Sequence, residues 1–195
     1  MTDLIFFFQR RPDMSSDEFR EHYLGVHAPL GMELTVGMVH YTVNLTHPRH
    51  IDDALLAEPH DAMTSITVDD VEAFFDPARA FATPQDAARM LADHDSFIGR
   101  MDAYVVQASG RRPAGTPAAK VVARTVNLVD AALVAVREGI EAVVVNTVTS
   151  AVTPDAPPLA TVVEAWGASA DGVRAVLVAL DPHATVLEVS EHVFR

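Results

Sequence analysis

The chain has 195 residues, 49% of them hydrophobic and 21% charged, which suits one large globular unit or two small ones and argues against disorder. It contains no cysteine, so disulfides, a thiolate zinc site and a cysteine nucleophile are excluded. The formal net charge of −13 argues against nucleic acid or an anionic membrane surface as a partner, because both are bound through clustered lysines and arginines.

The first 110 residues predict the element order β-α-β-β-α-β, the ferredoxin-like arrangement. The strands are predicted over 4–9, 38–45, 62–68 and 101–108, and a long polar loop containing three histidines, His47, His50 and His60, covers 46–60. A second helical region begins after Asp69 or Asp70, breaks near Pro77 and resumes over 84–94.

The first helix has the strongest local signal in the chain. Ser15 and Glu18 have the spacing of a capping box, which predicts that the helix begins there. Pro29 disfavours regular helix just before it, so His27 is expected near the helix end. The predicted sheet-facing stripe, with the spacing i, i+4, i+7, i+11, consists of Phe19, Tyr23, Val26 and Leu30.

The second half repeats the element order after a segment rich in glycine and proline at 109–117. Strands are predicted over 121–126, 142–149, 160–165 and 185–193, with helices over 130–138 and from Ser169 or Asp171 to 180. The predicted domains are 1–110, a linker over 111–118, and 119–195. Packing the two bare sheet faces together would give an α+β fold, in which two tandem ferredoxin-like modules form an α/β barrel within one chain.

The residues of the first half resemble a known family. A strand ending in Arg10-Arg11-Pro12 leads to Ser-x-x-Glu-Phe at 15–19, then His22-Tyr23 and Val26-His27-Ala28-Pro29-Leu30. This stretch resembles the opening of an EthD domain, and later landmarks of that family are matched by Asp61, Ala92-Asp93 and Phe97. The resemblance implies the dimeric α/β barrel superfamily, whose members include dehydratases, cyclases, isomerases and cofactor-independent monooxygenases of polyketide and aromatic metabolism. The second half has no His-Ala-Pro segment.

Two histidines are the candidate catalytic residues. His27 matches the family's histidine. An imidazole that changes charge near neutral pH suits general acid or base chemistry. The alternative is that His27 only caps the C-terminal end of the helix. His94 is the candidate proton-transfer partner, because the adjacent carboxylates of Asp93 and Asp95 are expected to raise its pKa. His22 lies five residues before His27, about 140° away on an α-helix, so the two are not expected to form a metal pair.

The candidate substrate-binding residues surround His27 in the predicted fold. His40 and Tyr41 point to opposite faces of one strand, so only the helix-facing one is expected to meet His27. Gln9 is a candidate for orienting a carbonyl, carboxylate or phenolate. The remaining candidates would form an apolar enclosure and are Phe8, Tyr23 and Phe97.

These observations predict a small cytoplasmic enzyme that needs no cofactor or metal. It would act on a hydrophobic aromatic or polyketide-like substrate by histidine acid/base chemistry, as a dehydratase, cyclase, isomerase or monooxygenase. The alternatives are a non-catalytic binding or accessory protein of a redox system, or a haem-binding relative with an axial histidine. Exposed outer strands would also permit a homodimer.

Overall fold

Eight antiparallel strands close into a barrel in the computed structural model, which describes residues 1–47, 60–115, 117–135 and 137–194. Around the barrel the strands follow the order β1-β3-β2-β8-β5-β7-β6-β4, and β4 returns to pair with β1. Their bounds are β1 Thr2–Arg10, β2 Met38–Thr46, β3 Ala62–Val68, β4 Ile98–Arg111, β5 Ala119–Thr125, β6 Ala142–Ala151, β7 Thr161–Gly167 and β8 Thr185–Phe194.

The barrel joins two four-strand sheets through their outer strands. Strand β2 of the first half pairs with β8 of the second, and β4 pairs with β6, all antiparallel. The closed α+β barrel is therefore as predicted, but every strand named above has a neighbour on both sides. The exposed outer strands expected to permit a homodimer are paired within the chain.

Alternation along the strands separates the barrel interior from the helix-covered exterior. On β1, Phe6 and Phe8 join the exterior core beneath the first-half helices, whereas Ile5 and Phe7 join an interior core. That interior core combines side chains from both halves, with Val162 and Leu187 contributed by the second. The outer face of the first-half sheet and its helices thus enclose a separate compartment.

Helices cover the outside of the barrel. Their bounds are α1 Ser16–His22, a π-helical turn Tyr23–His27, α2 Ala28–Leu34, α3 Val71–Phe75, α4 Pro77–Ala80, α5 Pro84–Phe97, α6 Ala131–Ala135 and α7 Ala170–Leu180. Ser15 and Glu18 form both bonds of the predicted capping box, and Asp70 and Ser169 cap α3 and α7. None of the helices in the described parts of the chain has the length and apolar character needed to cross a membrane.

The sequence indicated that the first helix ends near His27, but the helix is longer. It continues through Pro29 to Leu34, and the five residues before Ala28 form the π-helical turn, in which the Ala28 amide donates to the Tyr23 carbonyl. A proline inside an α-helix removes one backbone bond and crowds the carbonyl four residues earlier, so a wider turn just before it relieves that conflict. The sheet-facing stripe shifts accordingly: His27 is buried and Val26 is 46% exposed.

The segment between the halves is shorter than predicted. Strand β4 extends through Gly110 to Arg111, which pairs with Val143 of β6. Gly110 has a φ of 97°, and a Cβ there would lie 2.3 Å from the Val143 carbonyl oxygen, so the glycine permits the close strand approach instead of ending the strand. Most of the predicted polar loop, including His50, falls in 48–59, outside the described residues.

Candidate active site

A cavity of about 210 Å³ lies between the outer face of the first-half sheet and its helices. Its walls are mostly aromatic and aliphatic, with Phe6 and Phe8 from β1. Phe75 and Leu91 also line it and are 38% and 54% exposed, so they mark its opening to solvent. The polar residues that line this apolar space are His27, Thr35, Tyr41, Thr64 and His94.

His27 is buried at the cavity wall, and a carboxylate holds it from behind. Its Nδ1 lies 2.7 Å from Oδ2 of Asp93 on α5, and both residues are at most 9% exposed. The ring packs against the rings of Tyr23 and Phe97, with centroids 4.9 Å away in each case. The position and the orientation of the imidazole are therefore both restrained.

The bond to Asp93 determines which nitrogen of His27 can react. Burial raises the pKa of Asp93, but the hydrogen bonds from His27 and His22 outweigh this effect and hold that pKa below its usual value. An ionised carboxylate only accepts, so Nδ1 of His27 carries a hydrogen and donates it. In the neutral ring Nε2 then has the lone pair, as a general base toward the cavity requires.

His22 contacts the other oxygen of the same carboxylate. Its Nε2 lies 2.8 Å from Oδ1 of Asp93, and its side chain is 26% exposed. The expected separation of about 140° from His27 is wrong, because it assumed α-helical spacing. The π-helical turn between them places residues five apart above one another, so both histidines reach one carboxylate.

His94 faces the same cavity but differs electrostatically from the prediction. Its ring lies 5.1 Å from that of His27. Burial and the charge of His27 lower the pKa of His94 to about 4, although Asp93 and Asp95 act in the opposite direction. The expectation of a raised pKa is therefore wrong, since desolvation disfavours the imidazolium more than the neighbouring carboxylates favour it. His94 is neutral near pH 7.

A chain of hydroxyl groups forms the polar part of the opposite wall. Tyr41 donates to the Tyr23 hydroxyl over 3.4 Å, and the Tyr23 and Thr64 hydroxyls are 2.7 Å apart. Burial raises the pKa of both tyrosines, so both are neutral phenols. Either hydroxyl can donate in the bond between Tyr23 and Thr64. When Tyr23 donates, the Thr64 hydroxyl hydrogen is available to a molecule in the cavity.

The structure resolves which predicted binding residues reach the cavity. Tyr41 is the helix-facing member of its strand pair and lines the cavity, together with Phe8. Tyr23 and Phe97 support the His27 ring from behind. His40 is exposed and faces the barrel end instead, and Gln9 shares the inward side of β1 with Phe7, so neither lies at the cavity.

Sequence reasoning did not connect Asp93 with His27. The sequence marks Asp93 as a neighbour of His94 and as part of a family landmark. In the structure it is 9% exposed and accepts from both His22 and His27. Helical spacing contained the signal: Asp93 falls three residues after Met90 and four before Phe97, on the buried stripe of α5. A carboxylate on an apolar stripe needs a buried partner.

The two arginines at the end of β1 have structural partners. Arg10 forms an ion pair with Asp61 and donates to the Met14 carbonyl, and Arg11 pairs with Asp13. Among the residues that the structure describes, no group of three or more histidine, aspartate or glutamate side chains is arranged to hold a metal ion.

A second, larger cavity opens at one end of the barrel. It has a volume of about 1240 Å³ and is lined by Lys120, Glu164 and Trp166. Lys120 donates to Glu164 over 2.6 Å and also to Glu191, and Asn146 donates to Glu164 over 3.0 Å. Burial raises the pKa of Glu164, but Lys120 and Arg112 outweigh it and lower that pKa below its usual value. The positive and negative charges of these side chains therefore compensate one another.

The comparison with protein families matches the first half of the chain. The EthD domain family model matches residues 11–101, which contain His22, His27, Asp93 and His94. No curated protein sequence matches the chain significantly.

Among the solved structures, one similar protein supports the fold, and two others give weaker superpositions. An anthrone oxidase-like protein superposes with a TM-score of 0.57 at 12% identity, covering 98% of this chain and 92% of its own. A proposed monooxygenase from Lactobacillus acidophilus NCFM gives 0.47 at 10% identity, with 98% and 94% covered. A mutant chlorite dismutase from Candidatus Nitrospira defluvii gives 0.49 at 10% identity, with 97% and 90% covered.

Proposed function

With an EthD domain at residues 11–101 as the premise, we propose that this chain is a small-molecule enzyme that uses His27 as its general base and acid. The observation that carries the proposal is His27 itself: a buried imidazole held at Nδ1 by Asp93, with Nε2 left for the cavity. A carboxylate behind a histidine that fixes its tautomer is a recurring arrangement for proton transfer.

The reacting proton moves to and from Nε2 of His27. The lone pair on Nε2 takes a proton from an acidic carbon or hydroxyl of the substrate, and Asp93 stabilises the imidazolium that forms. The negative charge left on a substrate oxygen is stabilised by the Thr64 hydroxyl, which the tyrosine chain orients. Returning the proton from Nε2 to carbon or to a departing hydroxide completes an isomerisation or a dehydration.

Cyclisation begins with the same proton abstraction, after which the carbanion attacks a carbonyl of the same molecule. A cofactor-free monooxygenase would instead combine the carbanion with dioxygen to form a peroxide, which takes up a proton and loses water, so that one oxygen atom stays on the substrate as a carbonyl. The arrangement of His27, Thr64 and Asp93 supplies the common first step of all four reactions. The dehydratase, cyclase, isomerase and monooxygenase assignments therefore remain alternatives within one proposed mechanism.

The cavity favours small aromatic or polyketide-derived substrates. Its rings, among them Phe6, Phe8 and Phe75, suit a flat apolar molecule. Its volume of about 210 Å³ lies below the ~300 Å³ at which pockets for drug-sized ligands begin. One or two rings fit that space, whereas a porphyrin does not, so the haem-binding alternative has no room at His27.

We further propose that the chain consists of two ferredoxin-like modules, 1–110 and 119–195, and that only the first is catalytic. The strand order supports this: β4-β1-β3-β2 in the first half corresponds to β8-β5-β7-β6 in the second. The second module would complete the barrel that supports the site.

Turnover of a substrate panel tests the proposed function. Purified protein is incubated with one- and two-ring phenols, quinols and aromatic β-keto compounds, in air and without oxygen, and the products are identified by mass spectrometry. We expect conversion by the wild type and a loss of about 10²–10⁴-fold in kcat for His27→Gln.

His183→Gln is the matched control, since it removes a histidine from the second half. Equal turnover by wild type and His27→Gln would overturn the mechanism. Retention of a panel compound by the wild type with no product from any compound would instead support the non-catalytic binding alternative.

A further inference from the structure

We propose that His22 acts on His27 through the carboxylate they share, so that a positive charge on one histidine opposes a positive charge on the other. His22 is then a positioning residue that acts on the reacting base from the protein surface. The consequence for catalysis rests on the proposed function, whereas the coupling itself depends only on the geometry of the three side chains.

The geometry places one anion between two bases. Asp93 accepts from His27 Nδ1 at Oδ2 over 2.7 Å and from His22 Nε2 at Oδ1 over 2.8 Å. The side chains of His27 and Asp93 are 6% and 7% exposed, and that of His22 is 26% exposed. Both rings also contact Phe97, with centroids 4.9 Å and 4.7 Å away, so neither is free to turn away.

One negative charge compensates only one positive charge. When His22 binds a proton, its imidazolium neutralises Asp93, and a second imidazolium at His27 would be repelled across the same carboxylate. Two charges a few ångströms apart in a partly buried site interact strongly enough to separate their titrations. Protonation of either histidine therefore opposes protonation of the other.

The surrounding charges direct the proton to His22. His22 lines a surface groove with the carboxylates of Asp13, Glu18 and Glu21 and with one cation, Arg11. This acidic and hydrated setting favours an imidazolium.

His27 has a different setting, because it faces the apolar cavity, the rings of Tyr23 and Phe8, and His94, as well as Asp93. With the pKa of His94 lowered to about 4, that ring adds no charge near neutrality. A positive charge is therefore better accommodated at His22 than at His27, which leaves the lone pair on Nε2 of His27.

The π-helical turn is what makes the coupling possible. His22 and His27 are five residues apart, and regular α-helix would place them on different faces. The wider turn allows both histidine side chains to contact Asp93 on α5. The irregularity of the helix therefore has a specific consequence for the site.

NMR titration of the histidine rings tests the coupling without a substrate. Wild type, His22→Gln, His27→Gln and the control His183→Gln are titrated from pH 4 to pH 9, and the midpoint of each ring is followed. A glutamine at position 22 can still donate to Asp93 but never becomes charged. We expect the His27 midpoint to rise by about 0.5–1 pH unit in His22→Gln, because the charge on His22 is then absent. The His22 midpoint should change less in His27→Gln, because His22 takes its charge while His27 is still neutral.

The rise of the His27 midpoint is the critical outcome, because His27 takes the second charge across the shared carboxylate. An unchanged or lowered His27 midpoint in His22→Gln would overturn the proposal. If His22→Gln does not fold, His22→Asn, which is also neutral, is titrated in its place. Turnover by His27→Gln tests the proposed function separately, so the two ideas fail independently.

Discussion

The two halves of the barrel enclose different spaces between their sheets and helices. In the first half that space is lined by phenylalanines, Tyr41 and two histidines, and it leaves a cavity of about 210 Å³. In the second half the corresponding space holds a core built mainly from valine. Its buried members are Val121, Ala123, Val134, Val143, Val145, Val163, Ala165, Val173, Leu177 and Val186.

The difference shows how equivalent strand orders support different roles. Valine is short and stiff, so strand valines and the α7 residues Val173 and Leu177 fill the space between sheet and helix. Aromatic rings on β1 and on the first-half helices are wider, and Gly31 adds room by presenting no side chain at the cavity. Function therefore depends on which side chains occupy the layer, not on the strand order that the halves share.

The largest expected effect is a loss of kcat on replacing Asp93, which we compare with replacement of a structural carboxylate, Asp181. Asp93→Asn would lower kcat by about 10²–10⁴-fold, because the amide no longer favours the Nδ1–H form of His27. Asp181→Asn is the matched change in the second half, where Asp181 accepts from Asn127 over 3.0 Å. It should reduce stability and leave kcat unchanged. Steady-state kinetics with urea unfolding of both variants would show this, and similar kcat losses in the two would contradict the comparison.

The pH dependence of stability should reflect His94 at the cavity. The folded-state pKa of His94 is about 4, against about 6.5 for an unperturbed histidine, so below pH 6.5 the unfolded chain takes up a proton that the folded chain excludes. Stability is therefore lost as pH falls from 6.5 toward 4, by about 2 kcal/mol between pH 7 and pH 5 from this group. Urea unfolding at several pH values should show a smaller loss for His94→Gln, while an equal loss would contradict the assignment.

A cavity introduced into the valine core of the second half should lower the free energy of unfolding and leave activity unchanged. Val163 is 2% exposed in the valine core, and Val163→Ala removes two methyl groups from a packed site. We expect the free energy of unfolding to fall by about 2 kcal/mol. Phe75→Ala, at the partly exposed cavity opening, is the contrasting variant and should cost less. Urea denaturation measures both, and a larger loss for Phe75→Ala would weaken the comparison.

Adding a methyl group at the cavity of the first half should raise the free energy of unfolding and weaken ligand binding. Gly31→Ala places a Cβ 3.8 Å from the Tyr41 ring and 4.0 Å from Met90, which is ordinary contact, within helix α2. The unfolding free energy should rise by about 0.5–1 kcal/mol, because alanine favours helix over glycine. Binding of panel compounds should weaken at the same time. Thermal unfolding and ligand titration would detect both changes, and unchanged binding would place the substrate elsewhere.

Local signals predicted most of the secondary structure. Ser15 and Glu18 form the expected capping box, and the strand predicted over 62–68 is Ala62–Val68. These features depend on residues only a few positions apart, so the sequence alone determines them. The end of the strand predicted over 101–108 is wrong for the complementary reason: Gly110 reads locally as a break, but pairing with β6 continues the strand to Arg111.

The sequence by itself determined the closed α+β barrel as the expected architecture, the position of the EthD domain, and His27 as the leading candidate. Only the tertiary structure decided what His27 touches. Asp93 is 66 residues away along the chain and reaches His27 because α5 packs against the first helix. His22 reaches Asp93 because of the π-helical turn, and that turn lies just before Pro29. The helix continues past Pro29 only because of its packing in the fold. Contacts between distant segments are set by the packing of whole elements, which no short sequence pattern contains.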